Sequence, residues 1–269
     1  MKNVIEPGRV AWIVGASSGI GLAVAQRLAA KGMKVVISAR SADRLAAAAA
    51  THDNLYAEPF DITDERAVGA VIERIETTFG PIDLAMFSAA VWHLLDVEDL
   101  DADLINRGMS VNFNGTVSVL VPVLKRMMAR KRGHVAIVAS VAGYRGLPRS
   151  SAYAPTKAAL ISLAECLAPD LHRHNIGVSI INPGFVATPM TAKNDFPMPF
   201  LMQVDDAATR IVRGLERGRY EIAFPWQLVT ILKTLRLMPN GLFLWLIRRN
   251  VARPPKSAVQ IGDQSQKAG

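Results

Sequence analysis

Apolar residues along the chain fall into short β-branched runs that are separated by longer stretches with helical periodicity. These runs lie near residues 10, 35, 55, 83, 135, 177 and 220. Strands that alternate with helices are joined by crossover connections, so the pattern predicts an α/β fold with a doubly wound parallel sheet. No linker-like break interrupts the alternation. We predict one domain over residues 1–225, with residues 226–269 as its amphipathic, basic C-terminal helical extension.

The first predicted strand ends at a glycine-rich turn. From Val10 onward the sequence reads as strand, tight turn and helix, with glycines at positions 15, 19 and 21. Glycines at such positions let backbone amides approach a pyrophosphate that is held at a helix N-terminus. A glycine triplet can also serve turn chemistry alone, but here the next strand, which begins at Lys34, completes a βαβ unit. The segment therefore indicates a dinucleotide site.

A second pattern combines a tyrosine, a lysine and a serine. Tyr153 and Lys157 are four residues apart, a spacing that places two side chains on one face of a helix. An ammonium group beside a phenol favours the phenolate, so the pairing predicts a Tyr153 pKa lowered from about 10 toward neutral pH. Ser140 ends a β-branched run, at the strand edge where open α/β sheets bind ligands. An ordinary amphipathic helix would also fit the spacing, but the glycine-rich turn favours a carbonyl/alcohol redox site.

These motifs resemble those of the short-chain dehydrogenase/reductase family in its single-domain, Tyr-x-x-x-Lys form, over about residues 8–224. The resemblance implies a Rossmann-like fold, a homo-oligomer, and hydride transfer between a nicotinamide and a carbonyl or secondary alcohol. It implies four catalytic residues, Asn112, Ser140, Tyr153 and Lys157. The residues implied in cofactor binding are Gly15, Ser17, Ser18, Gly19, Ile20, Gly21, Arg40, Ser41, Asp61, Ile62, Ala89, Tyr153, Lys157, Pro183, Gly184, Val186 and Thr188.

The family's mechanism carries over to these positions as an expectation. Tyr153 would give its proton to the carbonyl oxygen, and Ser140 would hydrogen-bond the same oxygen. Lys157 would hold the nicotinamide ribose and stabilise the phenolate, while Asn112 would help hold a chain of water molecules. The chain departs from the family at Phe87–Ala90, where relatives have Asn-Asn-Ala-Gly, and this puts the geometry near the adenosine ribose in question. The departure leaves a second hypothesis open, a nucleotide-binding regulator or membrane-associated interaction module without turnover.

The end of the second strand bears on the choice of cofactor. NAD-binding relatives tend to carry a carboxylate at the position of Ala39, and it is missing here. Arg40 instead offers a planar cation that suits a 2′-phosphate, and Ser41 or Ser17 could add hydroxyl donors. A solvated charge at a strand end is the alternative interpretation of Arg40. We therefore expect NADP(H) as the preferred cofactor, with NAD(H) left open.

Apolar side chains in the predicted loops bear on the substrate. They are Trp92, His93, Tyr144, Leu147, Phe185, Met190 and the segment 196–202. Such a lining favours a small hydrophobic carbonyl or alcohol over a sugar or a charged metabolite. Core packing or a subunit contact would use the same residues equally well.

The net charge of +8 is concentrated at the C-terminus, where residues 219–269 hold eight Lys or Arg and two Asp or Glu. A helical projection places Leu228, Ile231, Leu232 and Leu235 on one face. That face could cover the substrate pocket, pack on a second subunit or lie in a membrane interface. Aromatic and cationic neighbours favour a peripheral membrane contact, whereas helix packing in general favours protein. These neighbours are Trp226, Lys233, Arg236, Trp245, Arg248 and Arg249.

Other features limit the classes of function. The basic stretch 125–132 has no interleaved aromatic residues, so we expect no nucleic-acid partner. Cys166 is the single cysteine, and His172 and His174 are two apart, so no metal site is predicted. The N-terminal residues lack an apolar run of signal-peptide length, and no apolar piece of the tail is long enough to span a bilayer. We expect a cytoplasmic enzyme, peripheral to a membrane if the tail binds lipid.

Overall fold

The computed structural model describes residues 4–250. Contacts divide the chain into a unit that ends at Arg236 and a second unit that begins at Leu237, and each is described here by itself. The sequence-based boundary after residue 225 lies close to this division and stays a prediction.

Seven strands form one parallel sheet in the first unit, and this confirms the expected doubly wound α/β fold. The strand order is β3-β2-β1-β4-β5-β6-β7, which reverses direction between β1 and β4. The strands are β1 (Val10–Val14), β2 (Lys34–Ser38), β3 (Leu55–Ala57), β4 (Ile82–Phe87), β5 (Gly133–Val138), β6 (Ile176–Pro183) and β7 (Glu221–Phe224).

Helices connect the strands and cover both faces of the sheet. They are α1 (Gly19–Ala30), α2 (Ala42–Ala49), α3 (Ala67–Phe79), α4 (Ala102–Gly108), α5 (Gly115–Ala129), α6 (Ala154–Arg173) and α7 (Val204–Glu216). Helix α8 (Trp226–Leu237) follows the last strand, and α9 (Asn240–Asn250) lies in the second unit. A π-helical turn, Met109–Asn114, joins α4 to α5. Short 3₁₀ turns lie at Val97–Asp99, Val141–Gly143 and Thr191–Lys193.

The first strand shows why the sheet is buried on both sides. All five residues of β1 are buried, and their side chains alternate between two hydrophobic clusters, with Trp12 in one and Ile13 in the other. Such continuous apolar runs are typical of parallel strands with helices on both faces. Trp12 also satisfies its indole by donating to the Ser38 hydroxyl on β2, 2.9 Å away.

Leu228 and Leu232 of helix α8 are buried in the core of the first unit. The predicted apolar face is only partly right, because Ile231 is 48% exposed. Lys233 forms an ion pair with Glu221 on β7, which fixes the helix to the end of the sheet. Within residues 4–250, no helix is long and apolar enough to cross a membrane.

Candidate active site

A cavity of about 630 Å³ opens at the carboxyl edge of the sheet. Its walls come from the loops on both sides of the strand-order reversal, where parallel sheets leave a crevice for ligands. The structure brings together in its lining every predicted site residue except Asn112 and Ser41. These lining residues are Gly15, Ser17, Ser18, Gly19, Ile20, Gly21, Arg40, Asp61, Ile62, Ala89, Ser140, Tyr153, Lys157, Pro183, Gly184, Val186 and Thr188.

The glycine-rich turn forms one end of the cavity. Gly15 has a φ of +90°, and a Cβ atom built on it would lie 2.6 Å from the carbonyl carbon of Ser88. A Cβ atom on Gly21 would lie 3.1 Å from the Cα atom of Ala16. Only glycine lets β1, α1 and the loop after β4 approach this closely. The Ser18 side chain caps no amide of α1, so the helix begins with free N–H groups beside the cavity, an arrangement that suits a phosphate.

Asp61 also lines the cavity, near the cationic side chains of Arg40 and Arg107. Burial raises the pKa of the Asp61 carboxyl, but hydrogen bonds from Thr63 and the charges of Arg40 and Arg107 outweigh it, so the pKa is lowered overall. The carboxylate accepts from the Thr63 amide at 2.9 Å and from its hydroxyl at 2.8 Å. Asp61 is therefore held ionised and oriented at the cavity wall.

The sequence analysis missed Arg44, which lines the cavity from the first turn of α2, and Arg107, which lines it from α4. Arg40 precedes α2, so helical spacing does not relate it to Arg44, and only the presence of two arginines close after β2 could have indicated this residue. Ser41 lies outside the cavity lining, where its hydroxyl accepts from the Arg44 amide at 3.4 Å and caps α2, and its expected contact with the cofactor stays a prediction. A serine directly before a helix serves this purpose commonly, since the first amides of a helix lack partners.

Tyr153 immediately precedes α6, and Lys157 lies one turn into that helix. The Lys157 amine is 5.4 Å from the centre of the Tyr153 ring and donates to the Val138 carbonyl at 2.9 Å. Ser140 follows β5, where its hydroxyl accepts from the Ala142 amide and interacts with the Tyr153 side chain. The end of β5 and the start of α6 thus bring the three groups to one wall of the cavity.

The expected acidification of the phenol is wrong for this site. Burial raises the pKa of Tyr153 to about 12, and the hydrogen bond with Ser140 offsets this only in part. Burial also lowers the pKa of Lys157 to about 7, so the ammonium charge that was expected to act on the phenol is itself disfavoured. The sequence spacing predicts that the two groups are close, but desolvation decides the direction of both pKa shifts.

Asn112 lies in the π-helical turn and is fully buried. Its side-chain oxygen accepts from the Val91 amide at 2.7 Å, and its side-chain nitrogen donates to the Val91 carbonyl at 3.0 Å and to the Thr156 hydroxyl at 3.1 Å. The asparagine therefore joins the loop after β4 to the first turn of α6. Its expected contact with a water chain stays a prediction.

The unusual segment Phe87–Ala90 is accommodated by its backbone. Phe87 is buried at the end of β4, and the Ser88 amide donates to the Val14 carbonyl at 2.7 Å. Ala89 and Ala90 line the cavity. The strand end is therefore held without the two asparagine side chains that the family pattern has here.

The apolar loop residues do not form one lining. Met190 lines the cavity, and Trp92 packs its ring edge-on to Tyr153 with 4.7 Å between ring centres. Phe185 instead contacts Phe196 within the loop after β6. Tyr144 is turned away from the cavity, because its hydroxyl donates to Glu221 on β7 at 2.6 Å and its ring packs in the core.

Possible metal ligands are not grouped in the part of the chain that the structure describes, where no three His, Cys, Asp or Glu side chains form a metal-binding cluster. Cys166, His172 and His174 are exposed on α6 and at its end.

Comparison with known proteins agrees with this geometry. Residues 9–197 match the family model described as short chain dehydrogenase. An uncharacterized oxidoreductase of Myxococcus xanthus is 37% identical over 246 residues, which cover 90% of this chain and 97% of the relative. An uncharacterized oxidoreductase of Staphylococcus haemolyticus is 32% identical over 77% of this chain and 91% of the relative.

A solved structure shows the same fold. The chain is similar to a crystal structure of a variant actinorhodin polyketide ketoreductase with NADPH, with a TM-score of 0.73 over 83% of this chain and 97% of that one, at 22% sequence identity. With the family match over most of the sheet and the Tyr-Lys pair, these findings show that the chain belongs to the short-chain dehydrogenase/reductase family of oxidoreductases.

Proposed function

We propose that this enzyme is an NADP(H)-dependent oxidoreductase that transfers a hydride between the nicotinamide and a carbonyl or secondary alcohol of a hydrophobic molecule. One observation carries the proposal. Ser140, Tyr153 and Lys157 lie on one wall of the cavity whose other end is the glycine-rich turn. The lining residues suit a dinucleotide, because free helix amides, an ionised Asp61 and arginines are available along its length.

The side chains have separate tasks in carbonyl reduction. When bound, the reduced nicotinamide supplies the hydride. Tyr153 donates its proton to the carbonyl oxygen and Ser140 hydrogen-bonds the same oxygen, so that the charge developing there is neutralised. Because burial raises its pKa to about 12, Tyr153 is protonated at neutral pH, which is the form that a proton donor must have. Lys157 orients the cofactor ribose, and a proton taken up from solvent restores the Tyr153 hydroxyl after each turnover.

The preference for NADP(H) rests on Arg40 and Arg44. Both line the cavity next to β2, on the side where Ala39 offers no carboxylate to the ribose hydroxyls. A 2′-phosphate carries charge that two guanidinium groups can neutralise, whereas the 2′-hydroxyl of NAD(H) does not need them. NADPH is therefore the better ligand at this position.

A hydrophobic substrate is proposed because the space next to Tyr153 is bordered by apolar side chains. Trp92 contacts the Tyr153 ring, and Val91 and Met190 line the neighbouring part of the cavity. Burial of an alkyl or aryl group there contributes about 25 cal/mol per Å². The alternative of a silent nucleotide-binding regulator is not favoured, since the Ser-Tyr-Lys set is complete and the relatives are named oxidoreductases.

A panel of carbonyls tests the activity and the cofactor preference together. Wild-type enzyme should oxidise NADPH in the presence of 2-decanone or acetophenone faster than with glyceraldehyde, as followed by nicotinamide absorbance. The Arg40→Gln variant should lose about 10- to 100-fold in kcat/KM for NADPH, because charge-assisted hydrogen bonds contribute about 1.5–3 kcal/mol. Its kcat/KM for NADH should change less than about twofold.

The matched control is Arg66→Gln, which removes an exposed cation that does not line the cavity. It should leave both cofactor constants unchanged. A panel without turnover would contradict the activity. Equal losses in Arg40→Gln and Arg66→Gln would contradict only the role of Arg40.

We also propose a homo-oligomer and a peripheral membrane contact. Oligomerisation would use the helices that begin at Ala102 and Ala154, and light scattering measures it directly.

The membrane contact rests on residues 226–250, which hold four Lys or Arg and no Asp or Glu. On α9, Leu242, Leu244 and Trp245 are about half exposed, beside exposed arginines. Such a mixed apolar and cationic surface suits an anionic lipid interface.

Vesicle sedimentation tests the membrane contact. The enzyme should sediment with phosphatidylglycerol vesicles at low salt and be released at about 1 M salt, where charges are screened. A double variant, Leu242→Ser with Trp245→Ser, should bind several-fold less, because it removes apolar area from the interface. The control is Val97→Ser, which removes an apolar side chain that is 74% exposed on another surface. If the enzyme shows no salt-sensitive binding to these vesicles, the proposed membrane contact is wrong.

A further inference from the structure

Three loops meet beyond the catalytic wall of the cavity. They follow β4, β5 and β6 and comprise residues 88–101, 139–153 and 184–203. In parallel sheets such loops carry the specificity of the site. The side chain of Arg149, four residues before Tyr153, contacts both of the other loops.

The guanidinium of Arg149 binds two carboxylates. Its Nη1 donates to Asp195 Oδ1 at 3.0 Å and its Nη2 to Asp195 Oδ2 at 3.2 Å, a bidentate pair with the loop after β6. Its Nε lies 3.0 Å from Asp96 Oδ1 in the loop after β4, an ion pair without the alignment of a hydrogen bond. The Leu95 amide adds a bond to the Arg149 carbonyl at 3.1 Å.

A second connection runs beside the first. The Trp92 indole donates to the Asn194 side-chain oxygen at 2.9 Å, so the same two loops are joined next to the Asp195 pair. The ring of Trp92 packs edge-on to the ring of Tyr153. Trp92 and Asn194 therefore form a wall that stands directly over the residue proposed to protonate the substrate.

A tight backbone turn connects Arg149 to Tyr153. Arg149 has a φ of +60°, and the next residue, Ser150, accepts from the Tyr153 amide at 3.1 Å and the Ala154 amide at 2.8 Å. This tight turn leaves little freedom between the guanidinium and the start of α6. The ion pairs of Arg149 thus connect the turn before α6 to the loops after β4 and β6.

We propose that Arg149 is a positioning residue that clamps the loops after β4 and β6 and thereby fixes the Trp92–Asn194 wall of the substrate site over Tyr153. This inference rests on the proposed carbonyl reduction, for which it identifies the residues that set substrate affinity. Neither Arg149, Trp92 nor Asn194 lines the dinucleotide cavity, which ends nearby at Val91 and Thr191. Arg149 contacts these two loops at Asp96 and Asp195, beyond the residues that line the cavity, so we expect its loss to change substrate binding more than cofactor binding.

Arginine is the residue that this arrangement needs. Isolated ion pairs at a surface contribute little, but a planar fork that binds one carboxylate through two nitrogens and a second through Nε is a network. Lysine would present a single ammonium to the same partners. Asp195 and Asp96 are partly exposed, so salt should weaken the clamp.

The test compares Arg149→Gln, Arg149→Lys and Asp195→Asn with wild type, using 2-decanone and NADPH. The control is Arg173→Gln, which breaks an ion pair with Asp170 at the far end of α6. Arg149→Gln and Asp195→Asn should raise the KM for 2-decanone about three- to fivefold and leave kcat and the NADPH dissociation constant within about twofold. Arg149→Lys should recover part of the loss, and Arg173→Gln should match wild type.

Two further readouts separate a clamp from a general loss of stability. Salt should raise the KM of wild type but not that of Arg149→Gln, because the variant has no ion pair left to screen. Amide hydrogen exchange with NADPH present should be faster in Arg149→Gln over residues 88–101 and 184–203 and unchanged over β1 and β4.

The outcomes distinguish this proposal from the proposed function. If wild type reduces no ketone, the proposed function fails, and hydrogen exchange still decides whether Arg149 holds the loops. If wild type reduces 2-decanone and Arg149→Gln has the same KM and the same exchange, the clamp is wrong. A parallel loss of NADPH binding would also contradict it, since the clamp lies outside the cofactor cavity.

Discussion

Replacing Tyr153 with phenylalanine should abolish carbonyl reduction while NADPH still binds. The change removes one oxygen and keeps the ring that packs against Trp92, so the wall of the site is preserved. Positioned proton donors contribute about 10²- to 10⁴-fold to rate, and we expect kcat to fall by about 10³-fold or more. Steady-state turnover of 2-decanone and NADPH fluorescence titration measure the two effects.

Tyr144→Phe is the matched control for this variant. It also removes one phenol oxygen from a tyrosine in the core, but that oxygen donates to Glu221 and does not reach the cavity. It should cost stability and leave kcat within about twofold. Retained turnover in Tyr153→Phe, or an equal loss of kcat in Tyr144→Phe, would remove Tyr153 from the proposed chemistry.

Gly15→Ala should both destabilise the fold and abolish binding of NADPH. The added methyl meets the backbone of Ser88 and Ala89, which cannot move without separating β1 from β4. The left-handed backbone at Gly15 costs about 1–2 kcal/mol with a side chain, and overpacking adds about 1–3 kcal/mol. We expect a loss near 3 kcal/mol and a fall in Tm of roughly 6–12 °C.

Gly8→Ala separates the two causes. Gly8 has a φ of +78°, like Gly15, but a Cβ atom there meets no atom within 4 Å. This control should lose only the backbone contribution, about 1–2 kcal/mol, and should bind NADPH normally. If Gly15→Ala and Gly8→Ala lose the same stability and both bind NADPH, the close approach of β1 and the loop after β4 contributes nothing to either property. Our explanation of the turn is then wrong.

Sequence periodicity was sufficient to predict the strands, helices and turns, because these depend on residues that are neighbours in the chain. The buried strands are continuous apolar runs, and the glycine-rich turn follows one of them, so the sheet and its ligand-binding edge could both be predicted. The spacing of Tyr153 and Lys157 also gives their proximity, because one helical turn joins them.

The pKa shifts of Tyr153 and Lys157 could not be predicted from sequence spacing. The pKa values of Tyr153 and Lys157 depend on how much water the surrounding loops exclude, and those loops come from distant parts of the chain. Burial works against the charged form of both groups, which is the opposite of what a pairwise argument gives for Tyr153.

Long-range partners account for the other differences. Arg107 reaches the cavity from α4, and Asp195 meets Arg149 across 46 positions of sequence, so neither contact has a local signal. The capping contact of Ser41 does have a local signal, because a serine that directly precedes a helix is a common cap.

Isotope transfer from NADPH to the product alcohol shows whether the enzyme moves a hydride. NADPH that carries deuterium at the nicotinamide C4 is incubated with wild type and 2-decanone, and the product alcohol is analysed by mass spectrometry. We predict one deuterium on the carbinol carbon with wild type and no labelled alcohol with Tyr153→Phe. Alcohol that forms without deuterium, whichever of the two C4 hydrogens of NADPH is labelled, would contradict hydride transfer. Labelled alcohol that forms at the wild-type rate with Tyr153→Phe would contradict the role of Tyr153.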